Sequence, residues 1–144
     1  MHIYLTILIF LFSCKSNESD NGGVFDYPDD YGSCTAETDV CLSLHENNDN
    51  TASALNYSSS ANIAGFQFNH SGCVTDANGG DSEENGFSTT TSNSTVIGFS
   101  MAGSVVPSGD GTLTILDGEI TRDCLLNFVF SNSEGESLIS GWGD

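Results

Sequence analysis

From Val40 onward, apolar and polar residues alternate with a period of two, in short runs parted by Gly, Asn, Asp and Ser. A strand turns successive side chains to opposite faces, so this alternation marks a sheet with one buried face. Val40, Leu42 and Leu44 point one way, as do Leu55 and Tyr57, while Ala64, Phe66 and Phe68 stand opposite Gln67. Phe87 to Thr91 is β-branched and half polar. The same rule turns Ile97, Phe99 and Met101 inward and Gly98 and Ser100 outward. It sets Leu113 and Ile115 against Thr112 and Thr114, and Leu126, Phe128 and Phe130 against Asn127 and Val129. Leu138 and Ile139 end the series before Trp142. Asp110-Gly111 and Asp117-Gly118 carry the Asp-Gly signal of tight turns. No segment keeps a helical period over three turns. Because each apolar sheet face needs another to cover it, the pattern predicts an all-β, antiparallel β-sandwich of about eight to nine strands.

The first residues follow a different rule. Ile3 to Phe12 is an apolar run interrupted by Tyr4 and Thr6, and no acidic residue precedes Glu18. As a helix such a run spans about 15 Å, half of a hydrocarbon core of roughly 30 Å, so it reads as the h-region of a signal peptide. The run ends in Leu11-Phe12-Ser13-Cys14. This sequence resembles the lipobox of bacterial lipoproteins, which implies transfer of diacylglycerol to the Cys14 sulfur, then cleavage before Cys14, leaving palmitate-like acyl chains as the anchor. The organisation expected is therefore a signal peptide over 1–13, a lipidated Cys14 with an acidic flexible tether over 14–33, and a sandwich domain over 34–144. The tether is rich in Ser, Asn, Asp and Gly and poor in aliphatics. The expected location is the cell envelope, at the outer membrane or cell surface, with plain secretion as the alternative.

Charge narrows the partners. Twenty acidic residues stand against Lys15 and Arg122, a formal charge of −18. No basic patch can form, which excludes nucleic acid, and contact with a membrane is left to the lipid anchor alone. With Cys14 assigned to lipid, Cys34, Cys41, Cys73 and Cys124 remain. An even set in an exported domain implies disulfides, for which three pairings exist. We favour Cys34–Cys41 and Cys73–Cys124. Zinc is disfavoured, because no C-x-x-C pair occurs and His45 and His70 stand at no ligand spacing.

Four segments together carry a family likeness. Asn62 to Phe68 (NIAGFQF), Gly86-Phe87, Val96 to Ser100 (VIGFS) and Gly109 to Leu113 (GDGTL) occur in the order of the cohesin-type sandwich, which this stretch resembles. The resemblance implies a jelly-roll of nine or so strands and a binding module. Cohesins commonly continue with Tyr-Asp-x-x-Leu, whereas this chain reads Asn69 to Thr75 (NHSGCVT). Dockerin recognition is therefore not carried over.

Candidate chemistry is sparse. Gly98 to Gly103 superficially matches a nucleophile elbow, but Ala102 replaces the second glycine and His70 is the last histidine, before Ser100. Ser100 is read as an outward strand residue. Asp76 to Asp81 opens like an EF-hand, yet Asp81 and Phe87 occupy the positions that need glycine and glutamate. Asp76, Asp81, Glu83 and Glu84 could still offer oxygens to Ca²⁺, the one cofactor considered. Asp117 and Glu119 make an acidic pair of the kind glycosidases use, in a chain where such pairs are unavoidable. Trp142 is the candidate for sugar stacking. The expectation is a non-catalytic surface binding or adhesion module for an extracellular glycan or a surface protein. Its alternatives are a structural component of an envelope assembly and, last, a small hydrolase.

Overall fold

The structure, a computed structural model, describes residues 34–143. The expectations for the signal peptide, Cys14 and the tether fall outside them. Ten strands occur among the described residues: β1 Val40–Glu46, β2 Ala52–Ser59, β3 Gly65–His70, β4 Asp76–Asn78, β5 Ser88–Thr91, β6 Thr95–Phe99, β7 Gly109–Asp117, β8 Leu125–Ser131, β9 Ser137–Leu138 and β10 Ser140–Trp142. A short helix, α1 Gly80–Glu84, joins β4 to β5, and a 3₁₀ turn, Arg122–Cys124, precedes β8. The strands form two five-stranded sheets, ordered β9-β8-β3-β6-β5 and β10-β1-β2-β7-β4. This is the all-β sandwich that the alternation predicts. The pairing is antiparallel except for β10, which runs parallel to β1.

Two apolar faces meet in the middle. The first sheet contributes a run of rings: Phe66 lies 6.1 Å from Phe87 and 6.3 Å from Phe130, and Phe68 lies 4.7 Å from Phe128. The second contributes Val40, Leu42, Leu55, Tyr57, Leu113 and Leu116. Both disulfides take the favoured pairing, Cys34 to Cys41 and Cys73 to Cys124.

The facing of three strands differs from the sequence expectation. In β6 the inward residues are Val96, at 0% exposure, and Gly98. Ile97, Phe99 and Met101 face out. The cause is Phe66: it pairs with Gly98, and its ring occupies the space that a Cβ on Gly98 would need. An inward aromatic from the neighbouring strand has replaced the missing side chain, so the phase of β6 shifts by one residue. In β7 the register slips between Leu55 and Asn56 of β2, which skips Leu113. Leu113, Thr114 and Leu116 are buried, and Ile115 turns away. The buried Thr114 hydroxyl is satisfied by donating to the Asn78 carbonyl at 3.1 Å. In β8 a second slip, with Asn127 at φ 57°, puts Leu125 inside and leaves Leu126 out. Asp110 is also displaced from expectation. It sits in β7 opposite Ser58 rather than in a turn, whereas Asp117 does end the strand, before Gly118 at φ 127°.

Candidate binding face

The outward surface of the first sheet differs from the rest of this acidic chain. Its strands read GFQFNH, STTT, TVIGF, LLNFVFS and SL, and none carries an Asp, Glu, Lys or Arg. Register lines up two rows across it. Thr90, Ile97, Gln67 and Val129 form one, and Ser88, Phe99, Gly65 and Ser131 the other. Ile97 is 39% exposed, Phe99 42% and Val129 51%, with Leu126 at 45% beyond them. Gly65 leaves the space between Phe99 and Ser131 shallow, with their side chains 3.9 and 3.4 Å from where its Cβ would stand. The far end is stitched by amides: Asn69 donates to Thr95 Oγ1 at 3.0 Å and accepts from Asn127 at 3.1 Å. Met101, 85% exposed, follows β6 in a turn.

Single exposed apolar residues are ordinary on proteins, but several set side by side on one uncharged face make a candidate contact surface. Sequence reasoning missed this face because it turned Ile97 and Phe99 inward. The available signal was that Val96-Ile97-Gly98-Phe99 carries bulk at both parities, so one bulky residue had to face solvent.

The residues singled out for chemistry lie elsewhere. Ser100 is not in a strand; its hydroxyl oxygen accepts the backbone N–H groups of Ala102 and Ser104, both at 3.1 Å, and so caps the turn. His70 is buried, with Nε2 2.9 Å from the Ser92 carbonyl and Nδ1 accepting from Gly72 at 3.1 Å. Trp142 packs at the sandwich edge: Phe128 meets it in a T-shaped contact at 5.5 Å, and the Arg122 guanidinium lies 4.8 Å from its ring centroid. Arg122 and Asp123 also line a shallow groove with Leu44, Glu46 and Thr121.

The carboxylates of the 76–84 loop are engaged separately. Asp81 accepts the Tyr57 hydroxyl at 2.7 Å, Glu83 accepts the Gly79 N–H at 2.6 Å, and Asp76 accepts from the Asn78 amide at 3.1 Å. Glu84 is exposed at the end of α1. No group of three or more metal-ligating side chains comes together among the described residues. Burial, then the hydrogen bond and charge of Asp81, with Asp110 adding to it, push the Tyr57 hydroxyl above its ordinary range.

No protein-family model matches the chain, and no curated protein matches it. Solved structures do. A non-cellulosomal cohesin from the hyperthermophilic archaeon Archaeoglobus fulgidus superposes with a TM-score of 0.51 at 16% identity, covering 74% of this chain and 86% of that one. A type I cohesin from Clostridium thermocellum, solved in complex with a dockerin, gives 0.52 at 13% identity, covering 78% and 94%. The resemblance read from the strand motifs therefore holds at the level of fold, and the chain carries a cohesin-like β-sandwich.

Proposed function

We propose that the sandwich is a non-catalytic module that binds a protein partner on the outward face of β8, β3, β6 and β5. The observation that carries this reading is an uncharged apolar sheet face on a chain of net charge −18. Covering Ile97, Phe99 and Val129 gains roughly 25 cal/mol per Å² of apolar surface and requires no charge to leave water. The acidic surface around the face favours a partner with an apolar centre and a basic rim, because complementary charge speeds encounter and rejects wrong partners. A flat protein surface fits better than a sugar. Phe99 is the exposed aromatic among the described residues, while Trp142 is already covered by Arg122 and Phe128. That the Clostridium cohesin is solved with a dockerin supports protein binding as a use of this fold.

The envelope address rests on the sequence. In this reading Cys14 is lipidated, residues 15–33 form the stalk, and the module is presented at the outer membrane or cell surface, alone or within a larger assembly. Mass spectrometry of the native N-terminus tests the anchor. Calcium at Asp76, Asp81, Glu83 and Glu84 would at most stiffen the loop that leads into β5. A titration with millimolar Ca²⁺ that gives neither heat nor a shift in melting temperature removes it.

The binding reading is tested with Ile97→Asp/Phe99→Asp in the full chain. Both side chains are outward, so the variant should melt near the wild type, within the range of ordinary surface changes. Proteins retained from envelope extract by the wild type, quantified by mass spectrometry, should be lost. A folded variant that retains the same partner as strongly would refute the assignment of this face.

A further inference from the structure

β10 is only three residues long, yet it closes one edge of its sheet beside β1. Its backbone pairing is slight: Ser140, Gly141 and Trp142 lie opposite Val40, Cys41 and Leu42, in the parallel sense that is less stable per residue. Other contacts must hold it in place. On one side are Phe128 and Arg122, packed on Trp142. On the other is the Cys34–Cys41 disulfide. A Cβ added at Gly143 would stand 2.9 Å from Cys41 Sγ and 3.8 Å from Cys34 Sγ, and Cys34 Sγ lies 3.7 Å from the Gly141 carbonyl oxygen. Glycine on both sides of Trp142 lets the chain run directly against the two sulfurs. The segment enclosed by this disulfide also grips the residue before β10. Asp39 and Val40 donate their N–H groups to the Ile139 carbonyl at 2.7 and 2.9 Å, and Ile139 donates to Asp39 Oδ2 at 2.8 Å.

The two disulfides do different work. Cys73–Cys124 spans 51 positions and ties the middle of the β3–β4 connection to the turn just before β8, so it constrains a long loop of the unfolded chain. Cys34–Cys41 spans seven positions and removes much less chain freedom. Its effect is local, and what lies against it is the C-terminal strand. Both of its cysteines are partly exposed, as is Cys73, whereas Cys124 is 7% exposed with the Ser71 hydroxyl 3.2 Å from its sulfur.

We propose that Cys34–Cys41 is a reducible latch on β10. A dithiol reductant, small molecule or protein, attacks one sulfur through its thiolate and forms a mixed disulfide. Its second thiol then displaces the protein sulfur and closes the reductant's own disulfide. Two electrons and two protons pass to the protein, leaving Cys34 and Cys41 as thiols. With the covalent turn open, residues 34–39 no longer hold Asp39 against Ile139. β10 then detaches, Trp142 leaves Phe128, and the β1 edge with Val40 and Leu42 becomes available for pairing.

Trp142 is the one tryptophan of the chain, so it reports on β10 directly. In the full chain, Cys34→Ser/Cys41→Ser should shift Trp142 emission to the red and raise its quenching by acrylamide, while the main melting transition stays close to that of the wild type. Emission and quenching equal to the oxidised wild type would overturn the proposal. Should that variant fail to fold, graded dithiothreitol on the wild type decides. Thiols are mapped by alkylation and mass spectrometry, and Trp142 exposure should rise in step with alkylation of Cys34 and Cys41. Exposure that instead follows Cys73 and Cys124 overturns it.

Discussion

Gly98 shows how one missing side chain sets the surface of this protein. Phe66 lies over it, so inward bulk on β6 comes from the neighbouring strand, and the larger residues Ile97 and Phe99 face solvent. Gly98→Val should drive a branched side chain into that ring and destabilise the domain by about 1–3 kcal/mol, the usual range for overpacking a filled core. Urea unfolding measures it, and an unchanged midpoint would show that Phe66 moves freely. Tyr57 makes a prediction for pH. Its hydroxyl donates to Asp81 and is pushed above the ordinary tyrosine value of 10.0, first by burial and then by the bond and charge of Asp81. Because the folded value lies above the unfolded one, the stability gained is complete below about pH 10 and is lost as pH rises through the folded value. Absorbance titration of the wild type should contain a late-ionising tyrosine that is absent from Tyr57→Phe. Curves that differ in amplitude alone would contradict it.

At the level of elements, two irregular strands decide which residues reach the core. The slip opposite Leu55 in β7 and the slip at Asn127 in β8 each change the phase of alternation within a strand. A strand read as uniformly alternating is therefore right on one side of the irregularity and inverted on the other. Asn127 holds φ 57°, a conformation that asparagine and glycine adopt readily and β-branched residues do not. Asn127→Val should cost about 1–2 kcal/mol, whereas Asn127→Gly should be nearly neutral. Equal melting temperatures for the two variants would mean that the slip is imposed by the neighbouring strands alone. Outside the sheets, the turn between β1 and β2 is closed by its own side chains. The Thr51 hydroxyl donates to Asp49 at 2.7 Å, which lowers the pKa of that carboxyl, and Asn47 Oδ1 accepts the Thr51 N–H at 3.0 Å.

Across the whole chain the dominant quantity is charge. Eighteen net negative charges repel one another over a distance set by salt, since screening shortens from about 30 Å at 0.01 M to about 8 Å at physiological ionic strength. The melting temperature should therefore rise across that interval and level off beyond it. A flat profile would show that the acidic groups are too dispersed to oppose folding. On the proposed reading the same charge bears on recognition: a neutral apolar face on so acidic a chain favours partners with a basic rim.

Period-two alternation in short Gly-bounded runs was sufficient to establish the β-sandwich, and the resemblance of four strand motifs pointed to its cohesin-like order. Burial of one face is a property that each strand carries in its own residues. Leu42, Leu55, Phe66, Phe68 and Phe130 were legible as core for that reason. The exposed apolar face was not legible. Whether Val96 or Ile97 points inward depends on Phe66 lying over Gly98, a contact between strands some thirty residues apart. The placement of Gly143 against the Cys34 and Cys41 sulfurs likewise joins the two ends of the described chain. Local pattern determined that there are two faces, and only packing between distant strands decided which residues each one shows.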